Sequence, residues 1–213
     1  YPTDGLRTLL SNLSGRFLDG DGRDDGGYSS SILCLDTRFG GGKTHDLIAS
    51  YHLAEHPTDI EGLSSYLTEG ADVGGRYLEA VDEGLTVDSS VFVGGHVDAR
   101  NARSDRSDPD APNTRTMWGE IAYQLYGLDG YEYIKEYDQD QNAPGGNTLK
   151  GLFDIGDGPA LILIDEIAAY LEAASAVEVG DATLASQTLS FILSLLETAS
   201  EVDDVTVVYS IAD

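Results

Sequence analysis

Four short, almost uninterrupted apolar runs set the terms for this chain: Ile32 to Leu35, Val91 to Val93, Leu161 to Ile164 and Val205 to Tyr209. A strand with one wet face alternates apolar and polar residues, whereas a run that is apolar throughout belongs to a strand covered on both faces. Helical spacing fills the stretches between them. Leu6, Leu9, Leu10, Leu13 and Phe17 precede the first run, and 43–55 follows it, stopping before Pro57. Further helices are expected over 59–67, 73–82, 115–126, 131–138, 148–154 and 183–199. Strands alternating with helices predict an α/β fold with a parallel sheet between helical layers. Asp19 to Ser31 and Asp98 to Asn113 are too rich in Gly, Asp and Ser, or in polar residues and Pro, to be anything but loops.

Composition narrows the setting. No apolar run approaches the roughly 20 residues of a membrane span, and no signal peptide opens the chain. The lone cysteine, Cys34, excludes an internal disulfide and fits a reducing compartment, so a cytoplasmic location is expected. Acids outnumber bases 38 to 12, giving a formal charge of −26; 25 of the acids are Asp, and only Lys43, Lys135 and Lys150 are lysines. The acids are scattered along the chain rather than gathered in a tail, which argues against a nucleic-acid mimic. Scarce lysine and abundant Asp resemble the proteins of a salt-in halophile, with an archaeal source expected.

The chemistry-bearing segment stands directly after the first buried run. Thr37-Arg38-Phe39-Gly40-Gly41-Gly42-Lys43-Thr44 meets the G-x-x-x-x-G-K-[ST] phosphate-loop pattern except at its first glycine, where Thr37 sits. Consecutive glycines let backbone N–H groups turn inward around phosphates without Cβ clashes. Lys43 would reach the β and γ oxygens, the Thr44 hydroxyl would ligate Mg²⁺, and His45 would line the nucleotide site. The helix that begins here aims its positive end at the anion. Leu161 to Ile164 ends in Asp165-Glu166, the Walker B form: Asp165 would hold the Mg²⁺ shell and Glu166 would act as base on the attacking water. The last run ends at Tyr209-Ser210, which makes Ser210 the candidate γ-phosphate sensor, with Asp213 second. Together these residues predict ATP binding and Mg²⁺-dependent hydrolysis. The alternative in the same class of site is a switch or scaffold module that binds ATP without depending on hydrolysis.

Three segments carry a family resemblance: Leu35 to His45, Thr114-Arg115-Thr116-Met117-Trp118-Gly119-Glu120-Ile121-Ala122, and Leu163 to Tyr170. They resemble the ATPases grouped as domain of unknown function 499, as does the opening Tyr1 to Leu6. That resemblance implies an AAA-like P-loop ATPase, a family much longer than this chain and often found beside adenine DNA methyltransferases in BREX-type phage-defence loci. It implies other subunits of a defence complex as partners, and contact with DNA through the full-length protein. It also implies a P-loop three-layer sandwich. Counting the four apolar runs as strands one to four, the expected order is 2-3-4-1, with the fifth strand of AAA cores missing. The chain is accordingly expected to be a partial core: 1–30 a lead-in helix and loop, 31–213 the nucleotide-binding sheet and helices. Such a fragment should turn ATP over weakly. The resemblance gives no role to Trp118 or Glu120; Trp118 is expected to pack under the sheet.

One rival motif remains. His52-Leu53-Ala54-Glu55-His56 matches the H-x-x-E-H signature of inverted zinc proteases, with Glu132 or Glu136 available as a third ligand. Both histidines, however, fall in the last turn of the helix that starts at the phosphate loop, where the helix dipole favours histidine anyway.

Overall fold

The computed structural model describes residues 3–21, 30–36, 42–59, 73–100 and 109–211. Four parallel strands form the central sheet: β1 (Ile32–Leu35), β2 (Asp88–Val93), β3 (Ala160–Asp165) and β6 (Val205–Ser210). Their spatial order is β1-β6-β3-β2, all parallel. In terms of the four apolar runs this is the expected 2-3-4-1. β4 (Glu178–Val179) and β5 (Ala182–Thr183) form a separate small antiparallel hairpin around Gly180, whose φ of 57° suits a residue without a Cβ.

Alternation along the strands divides the core into two. Ala160, Ile162, Ile164, Val205, Val207 and Phe92 face one side, while Leu161, Leu163 and Val208 face the other. The first side is covered by α4 (Met117–Asp140), α5 (Gly146–Phe153) and α7 (Leu184–Glu201), with part of α6 (Ile167–Ala174). The second is covered by α1 (Asp4–Gly20), α2 (Lys43–Glu55) and α3 (Val73–Asp82). Each fully buried Leu, Ile or Phe contributes about 1.5–3 kcal/mol by leaving water. The result is a three-layer α/β arrangement, as the apolar runs require.

Local chemistry fixes the helix starts. The Thr3 hydroxyl accepts from Leu6 N at 3.2 Å to cap α1, and Thr116 accepts from Gly119 N at 3.1 Å to cap α4. Thr183 and Ser186 exchange bonds in a capping box at α7. The lead-in helix is not peripheral. Leu13 and Phe17 are fully buried, and Arg16 Nη2 donates to the carbonyls of Val202 (3.4 Å), Asp203 (2.7 Å) and Val205 (3.3 Å), tying α1 to the start of β6.

Several boundaries depart from the sequence reading. The helices expected at 115–126 and 131–138 join into α4, interrupted where Tyr126 and Gly127 leave helical geometry. Gly127 has φ 61°, ψ −140°, which a side chain would resist. The α6 helix and β4 have no counterpart in the elements expected from sequence, and Thr183, expected to begin a helix, instead ends β5 and caps α7. The helix expected over 59–67 falls outside the described residues beyond Asp59, as do Thr37 to Gly41 and Asp213. No described helix is long and apolar enough to cross a membrane.

Candidate functional site

The residues picked for chemistry meet at the C-terminal ends of β1, β3 and β6, where parallel α/β sheets place their ligands. Gly42, at φ 85°, precedes Lys43 and opens α2; the left-handed turn there is what a glycine provides. Lys43 Nζ donates to the Ile211 carbonyl at 2.7 Å, which brings the lysine across to the end of β6. Thr44 Oγ1 lies 3.4 Å from Asp165 Oδ2, and Ser210 Oγ donates to Asp165 Oδ1. Glu166 N also donates to Asp165 Oδ1, at 3.0 Å. One carboxylate therefore gathers the first turn of α2, the end of β6 and the start of α6. Ser210 is buried and Asp165 half-buried, while Thr44, His45 and Glu166 are exposed. Of the loop itself, Thr37, Arg38, Phe39, Gly40 and Gly41 lie outside the described residues.

Beside this cluster, Leu47, Ile48, Tyr51, Val91 and Leu163 line a cavity of about 200 Å³ whose walls also include Thr44 and Asp165. Its lining is apolar apart from Thr44, Asp165 and the Tyr51 hydroxyl, so Asp165 stands between an apolar hollow and its hydroxyl donors.

Glu166 takes the left-handed conformation, φ 51° and ψ 34°, at the N-cap of α6. For a residue with a Cβ this costs about 1–2 kcal/mol. It turns Glu166 toward the short 3-10 turn Gly94–His96 that ends β2. A Cβ on Gly94 would strike the Glu166 carbonyl, and a Cβ on Gly95 would strike Glu166 Oε2. Phe92 and Tyr170 stack edge to face beneath, with ring centroids 5.0 Å apart.

The H-x-x-E-H residues are arranged otherwise. The rings of His52 and His56 lie 5.9 Å apart, and Tyr51 packs edge-on against both. Glu55 Oε1 accepts from Ser89 Oγ at 2.7 Å, and Glu132 pairs with Lys135 at 2.7 Å. Among the described residues no group of three His, Cys, Asp or Glu side chains is placed to hold a metal.

The whole chain, residues 1–213, matches the family model described as the DUF499 N-terminal domain. The chain belongs to that family. No curated protein and no solved structure matches it.

In this DUF499 domain the segment around Trp118 has a clear structural part. Trp118 is fully buried against Phe191, with ring centroids 5.6 Å apart. Asp138, also fully buried, reaches back from the far end of α4 to the start of the same helix. Its carboxylate accepts from Arg115 N (3.0 Å), Thr116 N (2.9 Å), Thr116 Oγ1 (2.6 Å) and the Tyr131 hydroxyl (3.3 Å). Its pKa is raised by burial, and these donors offset only part of that rise. Gly119 leaves the space that Asp138 Oδ1 occupies. Buried Glu120 accepts from Thr114 Oγ1 (2.7 Å) and Gln124 Nε2 (2.5 Å), and Gln124 Oε1 accepts from Val91 N at 2.7 Å. Among the described strands β2 ends the sheet, and its Val91 N–H is thereby satisfied by a side chain of α4. Sequence reasoning missed Asp138 and Gln124; Gly94-Gly95 reads from sequence as the close of the strand over 91–93, as found, but not as the turn that meets Glu166. Only the paired glycines after an apolar run carried a local signal.

Proposed function

We propose that this domain binds ATP with Mg²⁺ and hydrolyses it. The observation that carries the reading is the meeting of Lys43, Thr44, Asp165 and Ser210 at one end of the sheet, at the N-terminus of α2. The donor set suits magnesium: the Thr44 hydroxyl and the Asp165 carboxylate are hard oxygen ligands within reach of each other. Bound there, the ion would neutralise charge on the phosphate oxygens. Lys43 binds the β and γ oxygens, and its bond to the Ile211 carbonyl is exchanged for the phosphate. Ser210 donates to Asp165 Oδ1 and serves in this reading as the γ-phosphate sensor. Glu166, exposed and next in sequence to Asp165, takes the proton from the attacking water.

The resemblance extends the proposal to the larger protein: an AAA-like P-loop ATPase core acting in phage defence or DNA transactions, with partner subunits and a DNA methyltransferase among its neighbours. The acidic composition supports a halophilic cytoplasm as its setting, so turnover belongs in concentrated KCl.

The test is ATP binding and phosphate release in about 2 M KCl, where screening is near its shortest. Lys43→Ala is expected to abolish binding, whereas Glu166→Gln keeps ATP bound and lowers turnover about a hundredfold or more. Wild-type turnover by Glu166→Gln would remove Glu166 as the base. Binding without turnover in the wild type would favour the ATP-dependent switch.

A further inference from the structure

We infer that Gly95 is a positioning residue for the Glu166 carboxylate. The two glycines that end β2 meet Glu166 in different ways. At Gly94 an added Cβ would meet main chain, the Glu166 carbonyl, and would lie 2.9 Å from Tyr170 Cβ; neither can move without shifting α6. At Gly95 the added Cβ would meet only the far end of the Glu166 side chain. Gly94 therefore sets how closely the β2 turn approaches α6, and Gly95 sets only where the carboxylate can lie.

The rest of the structure fixes both partners. Backbone geometry at Glu166, φ 51°, aims its side chain at the turn, and the Asp165 Oδ1 bond to Glu166 N holds that geometry. β2 is fixed on its inner side by β3, with Val93 in register with Asp165. On its outer side the Gln124 bond to Val91 N holds it. The carboxylate thus rests on an exposed glycine, between a strand end and a helix start that cannot drift apart. A methyl at position 95 would push the carboxylate off this seat while leaving Lys43, Thr44, Asp165 and Ser210 untouched. Where Glu166 acts as base, displacement by about 1 Å costs turnover without costing nucleotide affinity.

This rests on the reading of Glu166 as the base, so the test has an arm that does not. Gly95→Ala is made in the wild type and in Glu166→Gln. In the wild type kcat is expected to fall about tenfold or more, with ATP affinity within about twofold. In the Glu166→Gln background Gly95→Ala causes no further fall. Independently, the carboxyl ¹³C resonance assigned by its absence from Glu166→Gln is expected to move in Gly95→Ala. An equal fall in both backgrounds, or an unmoved resonance, overturns the inference. If the wild type shows no turnover, the ATPase reading fails, and the resonance alone decides whether Gly95 sets the carboxylate's position.

Discussion

Asp165 ends β3 at the C-terminal end of the sheet, and Asp204 stands just before β6 at the other end. Asp165 meets donors on both oxygens: Ser210 Oγ, Glu166 N and Thr44 Oγ1. Asp204 faces Asp154 and Asp203 as well as Arg16, and burial is the largest cause of its raised pKa. Nearby, Asp88 at the start of β2 is raised first by burial and then by Glu55 and Asp157. The Tyr126 hydroxyl is pushed above its usual range first by burial and then by Asp88, Asp204 and Asp154. The same residue type is therefore organised by hydroxyls and N–H groups at one end and crowded by its own kind at the other. Donor-lined carboxylates suit a ligand site, whereas crowded ones are a cost that the fold carries.

The comparison breaks most sharply at Asp165. Asp165→Ala should lower phosphate release about a hundredfold or more, because it removes the anchor for both Thr44 and Ser210. Ser210→Ala, which leaves the carboxylate but removes one donor, should cost about tenfold in the same assay. At the crowded end the readout is stability. Raising KCl from about 0.1 to about 2 M should raise the melting temperature by several degrees, since screening acts on repelling carboxylates. A flat or falling melting temperature would count against the halophilic reading. The smallest effect is expected from Asp88→Asn with Asp204→Asn. A raised folded-state pKa means that the folded protein binds protons more tightly than the unfolded chain. Each aspartate therefore destabilises increasingly as pH rises through the ordinary range near about 4 toward its folded value. The pair should raise the melting temperature at pH 7 and lose that advantage below about pH 4. It should also reduce the salt dependence.

The central strands were legible because burial on both faces leaves no room for polar residues. Leu161 to Ile164 could be read as a strand with no partner in view. Ser89 and Ser90 hid the first half of β2, whose serines look like loop; Ser89 is in fact used to hold Glu55. The α1 helix was legible from the spacing of Leu6, Leu9, Leu10, Leu13 and Phe17, and α2 from its place between the glycine run and Pro57, but α6 was not. Only Tyr170 and Ala174 of its eight residues are buried, so its apolar stripe is too short to stand out. At the site, Lys43 and Thr44 could be picked from the phosphate-loop pattern and Asp165 from the acids that end the third run downstream of it, whereas a polar residue at a strand end, such as Ser210, is common and carries little signal of its own. Asp138 could not. Its role depends on α4 bringing it back over Thr116, a contact between residues 22 apart with no periodic signature.

The strand order has a consequence for how the chain is made. β6 lies between β1 and β3, yet it is the last of the four to be synthesised. Until it arrives, β1 lacks its partner among the described strands, and β2 and β3 form only half of the described sheet. The Arg16 contacts to Val202, Asp203 and Val205 wait for the same residues. α1 and β1 therefore wait for their sheet and hydrogen-bond partners while the residues between Leu35 and Val205 are made, with apolar surface exposed. The same late strand both closes the described sheet between β1 and β3 and brings Ser210 to Asp165.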